Sequence, residues 1–307
     1  MEWERERFMD TYMETNRDAL KYEREIYLAM DLTALEHARR QFCLDTCLAW
    51  EDYQRDPERK VFIQKTIYEP GTAYIGMEGA RKYQSSDGFF NAIICMGQLF
   101  LTVDEQIYDW AVESFGDTSP EWFCQYQNLR RIDEKLQEYG RQVGDTHVYY
   151  LPSRGLCRDA AAGVRAEQIG AYDVQWYHQE QLLSFKEQNR FQRALGFSET
   201  QPDALAVALL REKASEQKEY DQSKLAGMAG VSIDGTYLWQ VGIDVDEDCR
   251  GQGLATELVR ELVAELYRQG VTVFYGTSES HSISQSVAYR AGFVPAFATV
   301  YAVKKDK

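Results

Sequence analysis

The run Arg250-Gly251-Gln252-Gly253-Leu254-Ala255 follows a strand-like segment, Tyr237 to Val245, and opens a helix-like one. A glycine-containing turn between strand and helix leaves backbone N–H groups unpaired, and the helix dipole adds partial positive charge, so such a turn attracts anions. Phosphate is the natural ligand. Gly251 and Gly253 carry no Cβ, which lets the main chain approach a pyrophosphate closely, and Arg250 adds a cation beside the acidic Asp246, Glu247 and Asp248. No Gly-Lys-Ser/Thr follows the glycines, which excludes a Walker loop, and G-x-G-x-x-G is absent, which excludes a dinucleotide fingerprint.

Other reactive residue types carry less. The six cysteines, Cys43, Cys47, Cys95, Cys124, Cys157 and Cys249, are too sparse for a disulfide scaffold. Cys43 and Cys47 share a helix face but have no His or second Cys pair nearby, so buried free thiols are expected and no metal. His147 and His178 are lone histidines near strands and read as structural.

The elements that must position the turn are legible around it. Strands are expected at Asp173 to Tyr177, Ala204 to Leu210, Leu225 to Ile233 and Tyr237 to Val245, with a helix at Gln179 to Leu195 and a polar loop at Glu212 to Lys224. Asp234-Gly235 signals a tight hairpin. Leu254, Leu258, Val259, Leu262, Val263 and Leu266 make one apolar helix face ending at Gly270, followed by a strand Val271 to Tyr275, a helix Ser282 to Ala291 and a strand Phe297 to Val303. Upstream, two helices are expected between Glu2 and Asp52, with Thr33-Ala34-Leu35-Glu36 as a capping box. Strands follow at Lys60 to Ile67, Phe89 to Val103 and His147 to Leu151, and helices at Asp104 to Ser114 and Pro120 to Tyr139. Pro152 to Gly163 is the expected linker, giving a mixed α and β domain over 1–155 and a second over 164–307.

The pattern Arg-x-x-Gly-x-Ala, in this order of elements, resembles the acetyl-CoA pyrophosphate loop of the GNAT N-acetyltransferase superfamily. His281-Ser282-Ile283-Ser284 with Gly292-Phe293 is similar to its second signature, an Asn-x-x-Ser helix ending in Gly-Phe; His281 stands where the family has Asn. The resemblance covers about residues 165–307, and the N-terminal half has the flavour of an uncharacterised two-domain bacterial subgroup through Cys47 to Tyr53 and Gly79 to Tyr83. It implies an α/β (α+β) fold with a mixed, mostly antiparallel sheet flanked by helices. It also implies that the fourth and fifth strands splay, so that the pantetheine arm of acetyl-CoA bonds to main-chain groups of Ile243, Asp244 and Val245. The pyrophosphate would then lie on Arg250, Gly251, Gln252, Gly253, Leu254, Ala255 and Thr256, with His281 and Ser284 beside the arm.

The family's usual base and acid are missing here, because Trp239 and Gln240 stand at the first place and Ala288 at the second. Asp244 is the nearest candidate base, with burial expected to raise its pKa, and Tyr275 is a candidate acid at the end of the fifth strand. Tyr289, one position from the usual acid, would point about 100° away on a helix. The alternatives are a structural carboxylate at Asp244 and plain packing at Tyr275. The implied activity is direct attack of a primary amine on the thioester of acetyl-CoA, a co-substrate rather than a resident cofactor. Other readings are a longer acyl-CoA donor and an acyl-CoA-binding regulatory module without transfer.

Charge and composition bound the partners. The 307-residue chain carries 34 Lys+Arg against 49 Asp+Glu, a formal net charge of −15, so a nucleic-acid partner is not expected and a cationic amine acceptor fits. With 44% apolar and 13% aromatic residues, packed cores are affordable. Phe89 to Val103 is too short for a membrane span, and the charged N-terminus is unlike a signal peptide, so the expected location is the cytoplasm.

Overall fold

The computed structural model describes residues 29–66, 77–82, 88–163, 165–186, 191–211 and 224–305. The expected start of helix near Glu2 and the Glu212 to Lys224 loop, up to residue 223, lie outside them. Helices α1 (Leu32–Asp45) and α2 (Trp50–Arg55) come first. The cap of α1 is Asp31 rather than Thr33: its carboxylate accepts from the Ala34 N–H at 2.9 Å, which draws Thr33 into the helix.

Strands β1 (Val61–Thr66), β2 (Phe90–Cys95) and β3 (Gln98–Asp104) follow. The run Phe89 to Val103, expected as one strand, is a hairpin. Met96 and Gly97 form its turn with φ of 46° and 75°. Both arms are buried nearly throughout, so only Gly97 and Gln98 mark the reversal in a mostly apolar stretch. Next are α3 (Tyr108–Phe115), α4 (Tyr126–Gln137) and the long β4 (Arg141–Pro152).

The expected linker is instead helix α5 (Arg154–Ala162). Ser153 caps it by accepting from the Leu156 N–H, and Leu156, Cys157 and Ala160 are buried, so the small residues that suggest a linker are here the helix's packing face. Strands β5 (Gln168–Ile169) and β6 (Tyr172–His178) lead to α6 (Gln179–Leu182). Of the helix expected to run on to Leu195, the described residues keep regular α form over this first turn, continued by a 3-10 turn at Leu183–Phe185. The chain then lays the backbone of Arg193 and Ala194 directly on Gly230 and Gly242, where an added Cβ would come within 2.4 Å of a carbonyl oxygen. A helix holds its backbone too far from a sheet for that contact.

The remaining elements are β7 (Asp203–Leu210), β8 (Leu225–Ser232), β9 (Trp239–Val245), α7 (Leu254–Arg268), β10 (Val273–Thr277), α8 (Ser282–Ala291) and β11 (Phe293–Lys304). The link between β8 and β9 is wider than a two-residue turn. Asp234 is buried in it, and Gln41 of α1 accepts from the Tyr237 N–H at 2.8 Å and packs on Gly235, so a distant helix sets the loop's shape.

All eleven strands form one sheet in the order β1-β3-β2-β11-β4-β10-β9-β8-β7-β6-β5. Pairing is antiparallel except for β1 with β3 and β9 with β10, as expected of a mixed sheet. Strand β4 pairs with β10 on one edge and β11 on the other, so residues before 155 supply a strand inside the sheet of the C-terminal part. On one face, Leu258, Val259, Leu262 and Leu266 of α7 pack with Ala288 of α8, Leu156 of α5 and Val241 of β9. Each buried Leu or Val among them contributes about 2 kcal/mol. On that face α3 and α4 cover the N-terminal strands, while α1 with α2, and the segment Phe191 to Phe197, cover the opposite face.

Candidate functional site

Parallel pairing of β9 with β10 holds only for Trp239, Gln240 and Val241 against Val273, Phe274 and Tyr275. Beyond it β9 continues with β8, through Gly242 to Val245, while Gly276 and Thr277 of β10 continue with β4. Each strand follows its outer neighbour, and a wedge opens between them. The wedge is part of a cleft of about 1110 Å³. Its wall includes Ile243, Asp244, Val245, Arg250, Gly251, Gly253, Leu254, Ala255, Thr256, Tyr275, His281 and Ser284. Of the expected site residues, Gln252 is off the wall and approaches Tyr172 instead.

The turn after β9 has the conformation its glycines suggest. Gly251 and Gly253 take φ of 79° and 81°, and no protein atom lies within 4 Å of where a Cβ would stand on either, so the space above them is open. Gly253 is the N-cap of the fifteen-residue α7, whose first N–H groups therefore face the cleft end. Arg250 is partly committed: its Nε donates to the Val245 carbonyl at 3.0 Å, which occupies one of the main-chain groups expected to hold a ligand. Two carboxylates of the acidic stretch are paired from the residue just after β7. Arg211 donates to Asp246 at 2.7 Å and to both oxygens of Asp248 at 2.8 and 2.9 Å, holding Asp248 down at about 2 and raising its own pKa.

At the other end of the wedge, the Tyr275 hydroxyl lies 2.9 Å from Ser284 Oγ, so two residues chosen separately from sequence meet. Burial raises the Tyr275 phenol, partly opposed by this contact, and keeps it protonated near neutral pH. Gln285 bonds the carbonyls of Ser278 and Glu279, fixing the loop that presents His281 at the exposed start of α8. Ala288 is buried against α7, and Tyr289 is outside the cleft, edge-on to Tyr150.

Asp244 is half-buried rather than enclosed, and its carboxylate makes no hydrogen bond among the described residues. It pairs across to Met228, which packs with Phe185, Phe191 and Leu195. Tyr275 packs with α7 and α8. The two candidates thus project from opposite faces of the sheet, one on each side of the wedge.

Several wall residues carry no sequence signal. His147 and Tyr149 of β4 enter from the N-terminal half, and the Tyr149 ring fills the space that a Cβ on Gly276 would need. His178, by contrast, is an exposed helix cap. Asp203 accepts from the Gly196 and Phe197 N–H groups and so shapes the segment over Gly242. All six cysteines are free. Among the described residues there is no group of three or more His, Cys, Asp or Glu that could hold a metal, and no helix long and apolar enough to cross a membrane.

Residues 172–293 match the model of the acetyltransferase (GNAT) family. The C-terminal part of the chain is a GNAT-family domain, and acyl transfer is the chemistry of that class. Similar solved structures include a GNAT-family acetyltransferase of Novosphingobium aromaticivorans, at 14% identity over 55% of this chain and 69% of that one, TM-score 0.35. A Colwellia psychrerythraea acetyltransferase from the GNAT family shares 16% identity over 53% and 57%, TM-score 0.32. A GCN5-related N-acetyltransferase-like protein of Streptococcus suis shares 14% over 58% and 69%, TM-score 0.37. All three TM-scores fall below 0.5, so these likenesses add nothing to the family match. No curated protein matches the chain.

Proposed function

We propose that the protein moves an acetyl group from acetyl-CoA to a primary amine. The observation that carries this reading is the wedge between β9 and β10, with an open, positive-φ glycine turn at one end and a buried phenol at the other. An extended pantetheine arm can bond to the free edge of β9 as an added strand would, while the pyrophosphate takes the N–H groups of Gly251 to Ala255. The thioester then lies in the plane of the sheet. The acceptor approaches from the Asp244 face, Asp244 takes a proton from its ammonium, and the freed nitrogen lone pair attacks the carbonyl carbon. The nitrogen's second proton leaves to the tyrosinate formed when Tyr275 protonates the thiolate. The carbon–sulfur bond breaks, and the thiolate takes a proton from Tyr275 on the opposite face, with Ser284 positioning that hydroxyl. The net charge of −15 favours an acceptor that arrives as a cation.

Thiol release from acetyl-CoA, measured against a panel of polyamines, amino sugars and peptide amines, tests the activity. Amine-dependent release with a matching acetylated product supports it. CoA binding without release by any amine favours the regulatory module.

A further inference from the structure

Two charges of opposite sign stand in the cleft wall on the Asp244 face, each without a partner among the described residues. One is Asp244 itself. The other is the exposed Arg193, in the segment that lies over the sheet. Its carbonyl oxygen comes within 2.4 Å of where a Cβ on Gly242 would stand. Gly242 is two residues before Asp244 on β9, on the same face and about 7 Å along the strand, so Arg193 and Asp244 are neighbours that do not pair with each other. Partners for an arginine are plentiful in a chain with 49 acidic residues against 34 basic ones, and Arg193 takes none of those described. The other charges at this end are committed. Asp203 accepts from the Gly196 and Phe197 N–H groups, Asp234 accepts from Gln201, Arg81 is paired with Asp45 at 2.6 Å, and His147 is 3.7 Å from Asp145. Asp234, Arg81 and Asp45 are also buried and outside the wall. Of the remaining wall cations, Arg250 belongs to the glycine turn and Arg290 to α8, which packs on the opposite face.

We infer that the acceptor is an amino acid, its ammonium at Asp244 and its carboxylate on Arg193. The inference deepens the acyl-transfer reading and rests on it. A guanidinium holds a carboxylate through two parallel N–H donors, and charge-assisted bonds of this kind are the strong ones. A zwitterion answers both wall charges at once, whereas a plain amine leaves Arg193 unanswered and a plain carboxylate leaves Asp244 so. Two-point attachment also fixes the direction in which the nitrogen faces the thioester, which a single contact at Asp244 does not. The −15 of the chain favours the ammonium end, and Arg193 supplies the local positive charge that the carboxylate needs against that field. Reaction turns the ammonium into a neutral amide nitrogen, so the product keeps its contact with Arg193 and loses the charge that faced Asp244.

The test uses the full chain with acetyl-CoA and follows thiol release for the common amino acids, each beside its carboxamide, which keeps the amine and removes the carboxylate charge. At least one amino acid is expected to exceed its amide in kcat/KM by about tenfold or more. Arg193→Gln should bring that ratio near one by raising the KM for the acid, with kcat and the CoA affinity by calorimetry little changed, and Arg193→Lys should restore part of it. Amides acetylated as well as acids by the wild type, or a preference that survives Arg193→Gln, overturn the inference and leave acyl transfer standing. If neither kind is acetylated, calorimetry with the same amino acids separates the two readings. Binding that is lost in Arg193→Gln keeps the amino-acid subsite and counts against transfer, and absence of binding overturns the subsite.

Discussion

The proposed chemistry rests on two side chains with contrasting settings. Tyr275 is enclosed and tied to Ser284, whereas Asp244 is half-buried with its oxygens uncommitted among the described residues. An acceptor-only carboxylate standing beside an open wedge can receive a proton without first breaking another bond. Asp244→Asn is therefore expected to lower kcat on the order of 10²-fold, with little change in the KM for acetyl-CoA. Steady-state kinetics over a pH range would check this, and equal activity of variant and wild type at every pH would leave Asp244 structural. At this scale the glycine turn was readable because its residue types have few other uses. His147 and Tyr149 were not, since a histidine or tyrosine in a strand acquires meaning only from its neighbours in the sheet, which for β4 are β10 and β11, more than a hundred residues away.

Helix α7 and the turn before it form the unit on which the proposed ligand binding depends. Gly253 caps the helix at φ 81°, a conformation that costs a β-branched residue on the order of 1–2 kcal/mol, and its open side is where a pyrophosphate would come closest. Gly253→Val should retain the fold and lose CoA binding. Calorimetry giving wild-type affinity would contradict that. The far end of α7 is held by Glu265, which accepts from Arg165, Arg268 and Gln269 and is held at about 2 against an ordinary 4.5. A carboxylate with a depressed pKa stabilises the fold fully above its unfolded value and loses that contribution as pH falls toward its folded one. The full shift corresponds to about 3 kcal/mol before solvent screening of the half-exposed Arg165 reduces it. Thermal midpoints should therefore fall between pH 4.5 and about 2, and Glu265→Gln should flatten that fall. The α7 face and its Gly270 stop were plain in the sequence. The helix at Arg154–Ala162 was not, because alanines and a serine describe a linker and a packed, capped helix equally well until Leu156 and Cys157 have something to pack on.

On the scale of the molecule, the N-terminal half is part of the sheet. Without β4, strands β10 and β11 lose the partner they share, and the wedge loses the strand that draws Gly276 away from β9. A 164–307 fragment is accordingly expected not to fold cooperatively. A sharp thermal transition matching the full chain would show that the sheet closes without β4. No periodicity could reveal this arrangement, since it depends on which strands pair across more than a hundred residues, and local patterns fix only the strands themselves. The central claim is that acyl-CoA lies between β9 and β10. A crystal structure with CoA tests it most directly. The account predicts the pantetheine arm beside Gly242 to Val245, the pyrophosphate on Gly251 to Ala255 and the sulfur near Tyr275. CoA bound elsewhere, or a wedge left empty at saturating CoA, would contradict it.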